Sequence, residues 1–262
     1  MEQKVLLFDL DGTLLRSDKT ISGRTLDVLC KCRNRDIWIG VSTSRSEQNS
    51  LAFLSELEPD ILIASGGAVV KFQGEFLFTT EFSEEETRRM IAISRDICGS
   101  DCEITIDTLT HHYWNYKVDP RKDDATWGET IYTSFQDFNE KALKMCVEIF
   151  CTETAKALSE QLPNCDCIRF SDGDWYKFTQ KGATKENAIK KFCELRGISL
   201  RNVISFGDDL VDIGMLKLCG TGVAMGNALD AVKAAADIVI GSNDDDDGIA
   251  DYLTEQFLQA KL

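Results

Sequence analysis

Two pairs of acidic residues carry the chemistry that this sequence offers. The first pair, Asp9 and Asp11, directly follows the apolar run Val5–Phe8 and leads into Gly12 and Thr13. Residues two apart in an extended chain point to the same side, so both carboxylates face one way where a buried strand ends. A hard cation such as Mg2+ stabilises carboxylates placed in this way. One acid can then act as a nucleophile and the other as a proton donor.

The second pair, Asp208 and Asp212, follows the apolar run Val203–Phe206 and Gly207. The two acids lie one helical turn apart, so their carboxylates repel each other unless a cation or a hydrogen-bond donor lies between them. An acidic first helical turn that the helix dipole stabilises is the alternative interpretation, and it accounts for Asp209. A cation held between the acids is the functional interpretation of the pair.

Hydroxyl and cationic groups at two other places could bind an anion. Ser42–Arg45 follows a second apolar run, and hydroxyls and N–H groups at the start of a helix form a ready phosphate site. A Ser/Thr cap for the helix that begins at Ser46 is the alternative. Lys181 stands just before a later helix and offers a point cation, with Lys185 as the reserve candidate. A solvated surface lysine is the alternative for either position.

The order of apolar and amphipathic segments predicts how these residues are positioned. Alternating strands and helices over the first and last thirds predict an α/β fold with a doubly wound, Rossmann-like parallel sheet, which binds ligands where its strands end. The middle third carries strand-like runs with few helices, which predicts an inserted α+β cap domain. We expect residues 1–82 and 178–262 to form the core and residues 83–177 the cap. The capping box Ser83-x-x-Glu86 predicts the first cap helix.

The predicted helices are moderate in length and separated by short strands. Beginning at the N-terminus, the expected helices span residues 22–34, 46–57, 83–98, 152–161, 185–196, 210–218 and 228–235, and one more begins at Gly248.

One predicted cap strand, His111–Tyr116, holds both histidines of the chain among aromatic residues. Alternation divides its side chains between two faces, with His112, Trp114 and Tyr116 on one and His111, Tyr113 and Asn115 on the other. One face is expected to pack against the cap helix, and the other to meet the active site and select the substrate. The sequence leaves open which face does which.

Bulk properties narrow the class of protein. The formal net charge of −15 argues against nucleic acid as a partner, because contact with a phosphate backbone needs a basic face. The apolar runs are far shorter than a membrane span and the N-terminus has no signal pattern, so we expect no membrane association. Ten cysteines without a C-x-x-C pair favour reduced thiols packed as small apolar side chains, from which we expect a cytoplasmic location.

The string Asp9–Thr13 resembles the first motif, DxDGT/V, of the haloacid dehalogenase-like phosphohydrolases. Other segments are similar to motifs of the Cof-like branch, which carries an α/β cap between its second and third motifs. These segments are Ser42–Arg45 (usually ATGR), Lys181-Gly182, Gly207–Asp212 (usually GDxxND), Gly222–Ala228 (GVAMGNA) and the acidic loop Asp244–Gly248 (DGV/I). This sequence departs from the pattern with Ser44 in place of glycine, and with Val211 in place of an asparagine that contacts phosphate.

The resemblance implies a role for each matching residue. Asp9 would be the nucleophile that accepts the phosphoryl group, and Asp11 the general acid and base. Mg2+ would be held by Asp9, the main-chain carbonyl of Asp11 and Asp208, with Asp212 as a supporting acid. The phosphate would be bound by Leu10, Thr43, Ser44, Lys181 and Asn227. For Asn227 an N-cap of the following helix is the alternative role.

The resemblance further implies a Mg2+-dependent phosphomonoester hydrolase that acts through an aspartyl-phosphate on small phosphorylated metabolites, with sugar phosphates as the usual class. A phosphotransferase or phosphomutase on the same chemistry is one alternative. A weakly active, ligand-binding regulatory module is another, and Val211 motivates it. A dehalogenase is disfavoured, because the dehalogenases of this family lack an acid at the position of Asp11.

Overall fold

The structure is a computed structural model, and it describes residues 2–123, 129–171, 173–242 and 247–259. These residues form an eight-stranded sheet and a six-stranded sheet. The strands of the larger sheet come from residues 4–79 and 203–239, and those of the smaller sheet from residues 104–180. The smaller sheet is therefore inserted in the chain between two parts of the larger one.

In the larger sheet, the five strand pairs counted from one edge are parallel, and the two pairs at the other edge are antiparallel. In order across the sheet, its strands are β14 (Ile238–Val239), β13 (Thr221–Ala224), β12 (Val203–Gly207), β1 (Lys4–Phe8), β2 (Ile37–Ser42), β3 (Ile61–Ala64), β4 (Val69–Phe72) and β5 (Glu75–Thr79). In the register of β1, Phe8 lies opposite Phe206 of β12 and Val41 of β2. The loops that follow these three strands therefore meet at one edge of the sheet.

Helices cover both faces of the larger sheet. The described helices are α1 (Gly23–Arg33), α2 (Glu47–Leu54), α3 (Glu84–Cys98), α4 (Thr152–Gln161), α5 (Lys185–Arg196), α6 (Ile213–Leu218), α7 (Asp230–Lys233) and α8 (Gly248–Leu253). Leu6 and Phe8 of β1 pack in one apolar cluster with α1 and α8, whereas Val5 and Leu7 pack in another with α5 and α6. The strand is buried on both faces, and the predicted doubly wound α/β fold is confirmed.

The smaller sheet has one apolar face and one polar face. In order, its strands are β10 (Cys165–Arg169), β11 (Trp175–Gln180), β9 (Lys144–Glu148), β6 (Ile104–Asp107), β7 (His112–Trp114) and β8 (Thr130–Tyr132), antiparallel except for the last pair. Ile104, Met145 and Phe178 belong to the apolar cluster that also contains residues of α3 and α4. The alternate side chains of these strands point to the opposite face, towards the larger sheet.

Several helices begin and end where the sequence predicts. The expected helices 152–161 and 185–196 coincide with α4 and α5, and the Ser83–Glu86 capping box of α3 is confirmed. The expected helix 228–235 is shorter, because α7 covers only Asp230–Lys233. The Leu229 N–H donates instead to the carbonyl of Asp208 at 3.2 Å, so the residues before α7 contact the loop after β12.

The expected helix 210–218 is divided in two. A 3-10 turn covers Leu210–Asp212, and α6 follows it from Ile213. The division has its cause in Asp212, whose carboxylate accepts hydrogen bonds from the backbone N–H groups of Asp208 and Asp209. These contacts tighten the first turn, since they hold the side chain against the backbone that precedes it.

The boundaries of the cap domain stay predictions. Strand β11 continues to Gln180, beyond the predicted cap end at residue 177, and Phe82, predicted as core, packs in the apolar cluster of the smaller sheet. The predicted acidic loop is described only at Asp247, which pairs with Arg16 at 2.6 Å, and at Gly248, which begins α8, while Asp244–Asp246 lie outside the described residues. Among the described residues, no helix is both long and apolar enough to cross a membrane.

Candidate active site

Asp9 lies at the carboxyl end of β1, in the interior of the larger sheet. Its backbone N–H donates to the Phe206 carbonyl at 3.0 Å, so the residue still belongs to the strand ladder, and its side chain is buried. Burial raises the pKa of the Asp9 carboxyl well above its usual range, against the opposing effect of the Lys185 cation. An ionised Asp9 therefore depends on positive charge placed around it.

Lys185 is a cation that contacts Asp9. It is the first residue of α5, and its Nζ lies 2.6 Å from Asp9 Oδ1 and 2.7 Å from Asp212 Oδ1. Burial alone would lower the pKa of this lysine, but Asp212 and Asp9 raise it above its usual range. The protonated amine thus bridges the acid that follows β1 and an acid that follows β12.

Three carboxylates converge beside this lysine. Oxygen atoms of Asp9, Asp208 and Asp212 lie within 4.8 Å of one another. Thr13 Oγ1 donates to Asp208 Oδ1 at 2.7 Å, and burial raises the pKa of the Asp208 carboxyl to about 7. Burial and the neighbouring carboxylates raise the pKa of Asp9 and of Asp208, so a cation at these oxygens would favour their ionised forms. Carboxylate oxygens this close together are ligands that fit a hard divalent cation.

The turn after Asp9 leaves room for this cluster. Gly12 has a φ of +76°, and a Cβ atom at this position would lie 2.2 Å from Asp208 Oδ2. A side chain at this position would be strained by the backbone angle and would collide with the carboxylate. Glycine is therefore required for the loops after β1 and β12 to approach each other.

Asp11 faces two basic side chains. Arg45 Nε and Nη2 donate to its two carboxylate oxygens at 2.6 Å and 2.9 Å, and Lys19 Nζ donates at 2.7 Å. Burial alone would raise the pKa of Asp11, but the hydrogen bonds and charges of Arg45 and Lys19 lower it to about 2. The carboxylate is ionised in this arrangement, so it must leave these contacts before it can carry a proton.

A pocket of about 470 Å³ lies over these residues, between the two sheets. Loops of the larger sheet contribute Asp9, Asp11, Lys19, Thr43, Ser44, Arg45, Asp209 and Val211. The polar face of the smaller sheet and a loop beside it contribute Thr105, His112, Trp114, Lys144, Cys146, Phe170 and Trp175. Of the two faces of the predicted strand 111–116, the one with His112 and Trp114 meets the pocket, and Tyr113 packs against the apolar cluster. The volume suits a small metabolite.

Comparison with known proteins agrees with this geometry. The family model for haloacid dehalogenase-like hydrolases matches residues 6–253. The chain belongs to this family. The match covers nearly the whole chain, including both acidic pairs and the inserted sheet, so it confirms the family that the sequence motifs predict.

Relatives of this hydrolase carry phosphatase names. The chain is 25% identical to the 5-amino-6-(5-phospho-D-ribitylamino)uracil phosphatase YitU of Bacillus subtilis, over 98% of this chain and 99% of that protein. It is 25% identical to the HMP-PP phosphatase of Escherichia coli O8, over 88% and 87% of the two chains. The solved structure of a HAD subclass IIB sugar phosphatase superposes with a TM-score of 0.84 at 27% identity, covering 97% of this chain and 98% of that one. The predicted enzyme class, a phosphatase, is confirmed.

The second family motif lies at the pocket, as the sequence predicts. Thr43 is buried, and its Oγ1 accepts a hydrogen bond from the Arg45 N–H at 3.0 Å. Ser44 Oγ is buried and has no hydrogen-bond partner within the described part of the chain, so it is available to a ligand. The side chain of Leu10 is fully buried in the apolar core, so its predicted contact with phosphate is restricted to its backbone.

Lys181 does not lie at the site, and the reserve candidate Lys185 does. The Lys181 N–H donates to the Asn164 carbonyl at 2.8 Å, which continues the pairing of β10 with β11 and leaves an exposed side chain at the strand end. Gly182, with a φ of +84°, then turns the chain towards α5. The Lys-Gly pair therefore marks the turn, and the lysine that contacts Asp9 stands at the start of the helix.

Asn227 contacts the turn after Asp9. Its Nδ2 donates to the Gly12 carbonyl at 2.8 Å, and α7 begins only at Asp230 with Leu229 as its N-cap. The helix-cap role is therefore excluded, and the phosphate role of Asn227 stays a prediction. Val211 lines the pocket, so an apolar side chain occupies the place of the motif asparagine.

Two basic residues that contact Asp11, Arg45 and Lys19, were not among the site residues predicted from the sequence. Arg45 ends the segment Ser42–Arg45, for which the sequence predicts phosphate contacts from hydroxyl and N–H groups, and a guanidinium this close to a predicted anion site is the signal that could have indicated it. Lys19 lies in the loop after Asp11 with a φ of +62°, and no pattern marks it.

Proposed function

We propose that this protein is a Mg2+-dependent phosphomonoester hydrolase that acts through an aspartyl-phosphate on small phosphorylated metabolites, with sugar phosphates as the foremost class. One observation carries the proposal: buried Asp9 contacts the Lys185 ammonium at 2.6 Å and has a carboxylate oxygen within 4.8 Å of one of Asp208. The names of relatives, among them a phosphatase of a ribitylaminouracil phosphate and a sugar phosphatase, support the substrate class.

Asp9 attacks phosphorus with the carboxylate oxygen that Lys185 leaves open. Lys185 contacts Oδ1 at 2.6 Å, so Oδ2 is the oxygen available for attack. The new bond joins Oδ2 to phosphorus while the bond from phosphorus to the leaving oxygen breaks, which gives an aspartyl-phosphate. Lys185 remains beside the transferred group and offsets its negative charge, and the hydroxyls of Thr43 and Ser44 supply hydrogen bonds.

Asp11 moves the protons of both steps. It gives a proton to the leaving alkoxide and then takes one from the water that attacks the aspartyl-phosphate, which regenerates Asp9 and releases inorganic phosphate. The contacts of Asp11 with Arg45 and Lys19 favour its ionised form, so they suit the second step, in which it acts as a base. The first step requires the protonated form, for which the carboxyl must separate from these cations.

The donor set fits Mg2+. Asp9, Asp208 and the main-chain carbonyl of Asp11 would hold it, because all three offer the oxygen ligands that this ion prefers. Asp212 is better suited to support, since its oxygens already accept hydrogen bonds from Lys185 and from the backbone of Asp208. When bound, Mg2+ supplies positive charge against the phosphoryl oxygens, which lowers the barrier to attack by an anionic carboxylate.

The oxidation state of the cysteines indicates the cellular compartment of the protein. Its ten cysteines are all free, and several of them, such as Cys32 and Cys193, are buried. Free thiols persist in reducing compartments, whereas disulfides accumulate in oxidising ones. This pattern supports the cytoplasmic location predicted from the sequence. The binding partner there would be a small phosphorylated molecule.

Release of inorganic phosphate from glucose 6-phosphate and p-nitrophenyl phosphate tests the proposal. We expect release by the wild-type protein in Mg2+, loss of release in EDTA and recovery when Mg2+ is restored. Asp9→Asn should abolish release while the circular dichroism spectrum stays that of the wild type. Turnover above a trace in this variant would exclude Asp9 as the nucleophile, and phosphoryl transfer to a second sugar in place of water would favour the phosphotransferase alternative.

A further inference from the structure

The polar face of the smaller sheet carries a row of three titratable residues. Asp107 on β6 lies directly opposite His112 on β7 and, on its other side, directly opposite Lys144 on β9. Asp107 Oδ1 lies 2.7 Å from His112 Nδ1, and Asp107 Oδ2 lies 2.8 Å from Lys144 Nζ. All three residues are buried: Asp107 is 0% exposed, His112 3% and Lys144 5%. We call these three residues the Asp107 cluster.

The Asp107 cluster lies against the proposed phosphate site. Lys144 Nζ donates to the Ser44 carbonyl at 2.7 Å, and Ser65 Oγ donates to Asp107 Oδ2 at 3.0 Å. His112 and Lys144 both line the pocket that contains Asp9. Groups on the smaller sheet lie across the pocket from the nucleophile, so they are placed to contact the leaving group of a substrate.

The charges of the cluster determine which hydrogen bonds His112 can make. Burial alone would raise the pKa of Asp107, but Lys144 and His112 hold it well below its usual range, so the ionised carboxylate can only accept hydrogen bonds. Nδ1 of His112 therefore carries a proton. Lys144 already balances the charge of Asp107, and a second buried cation would be uncompensated. With Nδ1–H directed at Asp107, the tautomer that keeps a single positive charge in the cluster has Nε2 as an acceptor.

Lys144 supplies a donor that lines the same pocket as this acceptor. An ammonium has three N–H groups, and the described contacts of Lys144 direct two of them to Asp107 and to the Ser44 carbonyl. The third can be donated to a ligand in the pocket. A donor and an acceptor that line one pocket and flank the same carboxylate match a hydroxyl group, which donates one hydrogen bond and accepts another.

We propose that the Asp107 cluster is a subsite for a hydroxyl group of the leaving alcohol, which donates to His112 Nε2 and accepts from Lys144 Nζ. Trp114 and Trp175 meet edge to face, with 5.4 Å between ring centroids, and form an apolar wall of the same pocket. A polyhydroxylated leaving group, a sugar or a polyol, offers both the hydroxyl and a C–H face for that wall. The inference rests on the proposed function and names the residues that select among its substrates.

Two matched variants test the subsite by steady-state kinetics. His112→Phe removes the acceptor and keeps a ring, whereas His111→Phe makes the same change at the exposed neighbour, whose Nδ1 contacts Thr110. Glucose 6-phosphate offers hydroxyls on its leaving group, and p-nitrophenyl phosphate offers none. We expect His112→Phe to lower kcat/KM for glucose 6-phosphate, relative to p-nitrophenyl phosphate, about 10- to 100-fold, as for the loss of a hydrogen bond to a buried polar cluster.

The outcomes of this experiment separate the two proposals. His111→Phe should leave the ratio of the two kcat/KM values unchanged. Equal losses for both substrates in His112→Phe would make the residue structural and overturn the inference, and an unchanged ratio would overturn it as well. A wild-type protein that hydrolyses neither substrate would instead contradict the proposed function, and the inference would fall with it.

Imidazole 15N NMR gives a second readout that needs no turnover. The chain contains two histidines, so labelling of histidine alone resolves each ring. We expect His112 to be protonated at Nδ1 and unprotonated at Nε2, and we expect Asp107→Asn to abolish this preference. Glucose 6-phosphate, bound to the inactive Asp9→Asn protein, should shift Nε2 of His112 and leave His111 unchanged. A proton on Nε2 of His112, or no shift at saturation, would overturn the inference.

Discussion

Lys185→Met is a direct test of how the site balances its charges. The Lys185 ammonium lies 2.6 Å from Asp9 and 2.7 Å from Asp212, and none of the three side chains is more than 10% exposed. Methionine is unbranched and similar in length, so the substitution removes the charge with little change in packing. Two buried carboxylates are then left without their cation. Removal of one partner of a buried ion pair costs about 3–5 kcal/mol.

A loss of this size is readily measured. Chains of this length lose about 2–4 °C of Tm per kcal/mol, so we expect the Tm of Lys185→Met to fall by roughly 6–20 °C in the absence of Mg2+. Mg2+ should recover part of the loss, because a cation bound at the same oxygens restores positive charge and stabilises the folded state that binds it. Calorimetry and urea unfolding, each with and without Mg2+, measure both effects.

Lys181→Met is the matched control, since it makes the same substitution at an exposed lysine close by in the sequence. Its unfolding free energy should change by less than about 0.5 kcal/mol, as is usual for surface positions, and phosphate release should continue. Lys185→Met should release none. A loss below about 1 kcal/mol in Lys185→Met would refute the argument from buried pairing. An equal loss of unfolding free energy and of phosphate release in Lys181→Met would show that Lys181, the lysine that the motif predicted, contributes the cation of the site.

Three further predictions concern single residues. Asp208→Ala should abolish the rise in Tm that Mg2+ causes in the wild type, and an undiminished rise would place the cation elsewhere. Val211→Asn should raise kcat/KM about fivefold, equivalent to about 1 kcal/mol for one net hydrogen bond, because Val211 lines the pocket. A neutral or harmful effect would mean that the pocket has repacked around valine. The pKa of Asp107 lies below its unfolded value of ~3.9, so its ion pair stabilises the fold above that pH and this stability is lost as the pH falls. The deficit of Asp107→Asn should therefore be largest near neutral pH and shrink in acid, and a constant deficit would contradict the pairing.

The acids of the site could be predicted because parallel strands end at one edge of a sheet. Asp9, Thr43 and Asp208 each follow a buried strand, and the alternation of strands and helices is enough to place them together. Lys185 could not be distinguished from Lys181 in the same way. The two are four residues apart in the sequence, and only the path of the chain through the turn at Gly182 decides which of them enters the core.

The face of the cap strand that meets the pocket could not be predicted for a different reason. Polar and aromatic residues occur on both faces of residues 111–116, so the usual contrast between an apolar and a polar face is missing. The structure resolves it by pairing across strands: His112 lies beside Asp107, and Asp107 lies beside Lys144. Such partners are distant in sequence, and a single strand pattern contains no information on them.

Separation of the smaller sheet from the larger would hydrate the Asp107 cluster. An interface made of apolar side chains resists opening, because water would have to cover its surface again. The groups that meet Ser44 and Ser65 are instead an ammonium and a carboxylate, whose burial costs free energy that their contacts roughly offset. These contacts define the position of the smaller sheet against the larger one and add little free energy to their association. We expect a smaller sheet held in this way to close in one register and to open readily, which suits an enzyme that must release its product after every turnover.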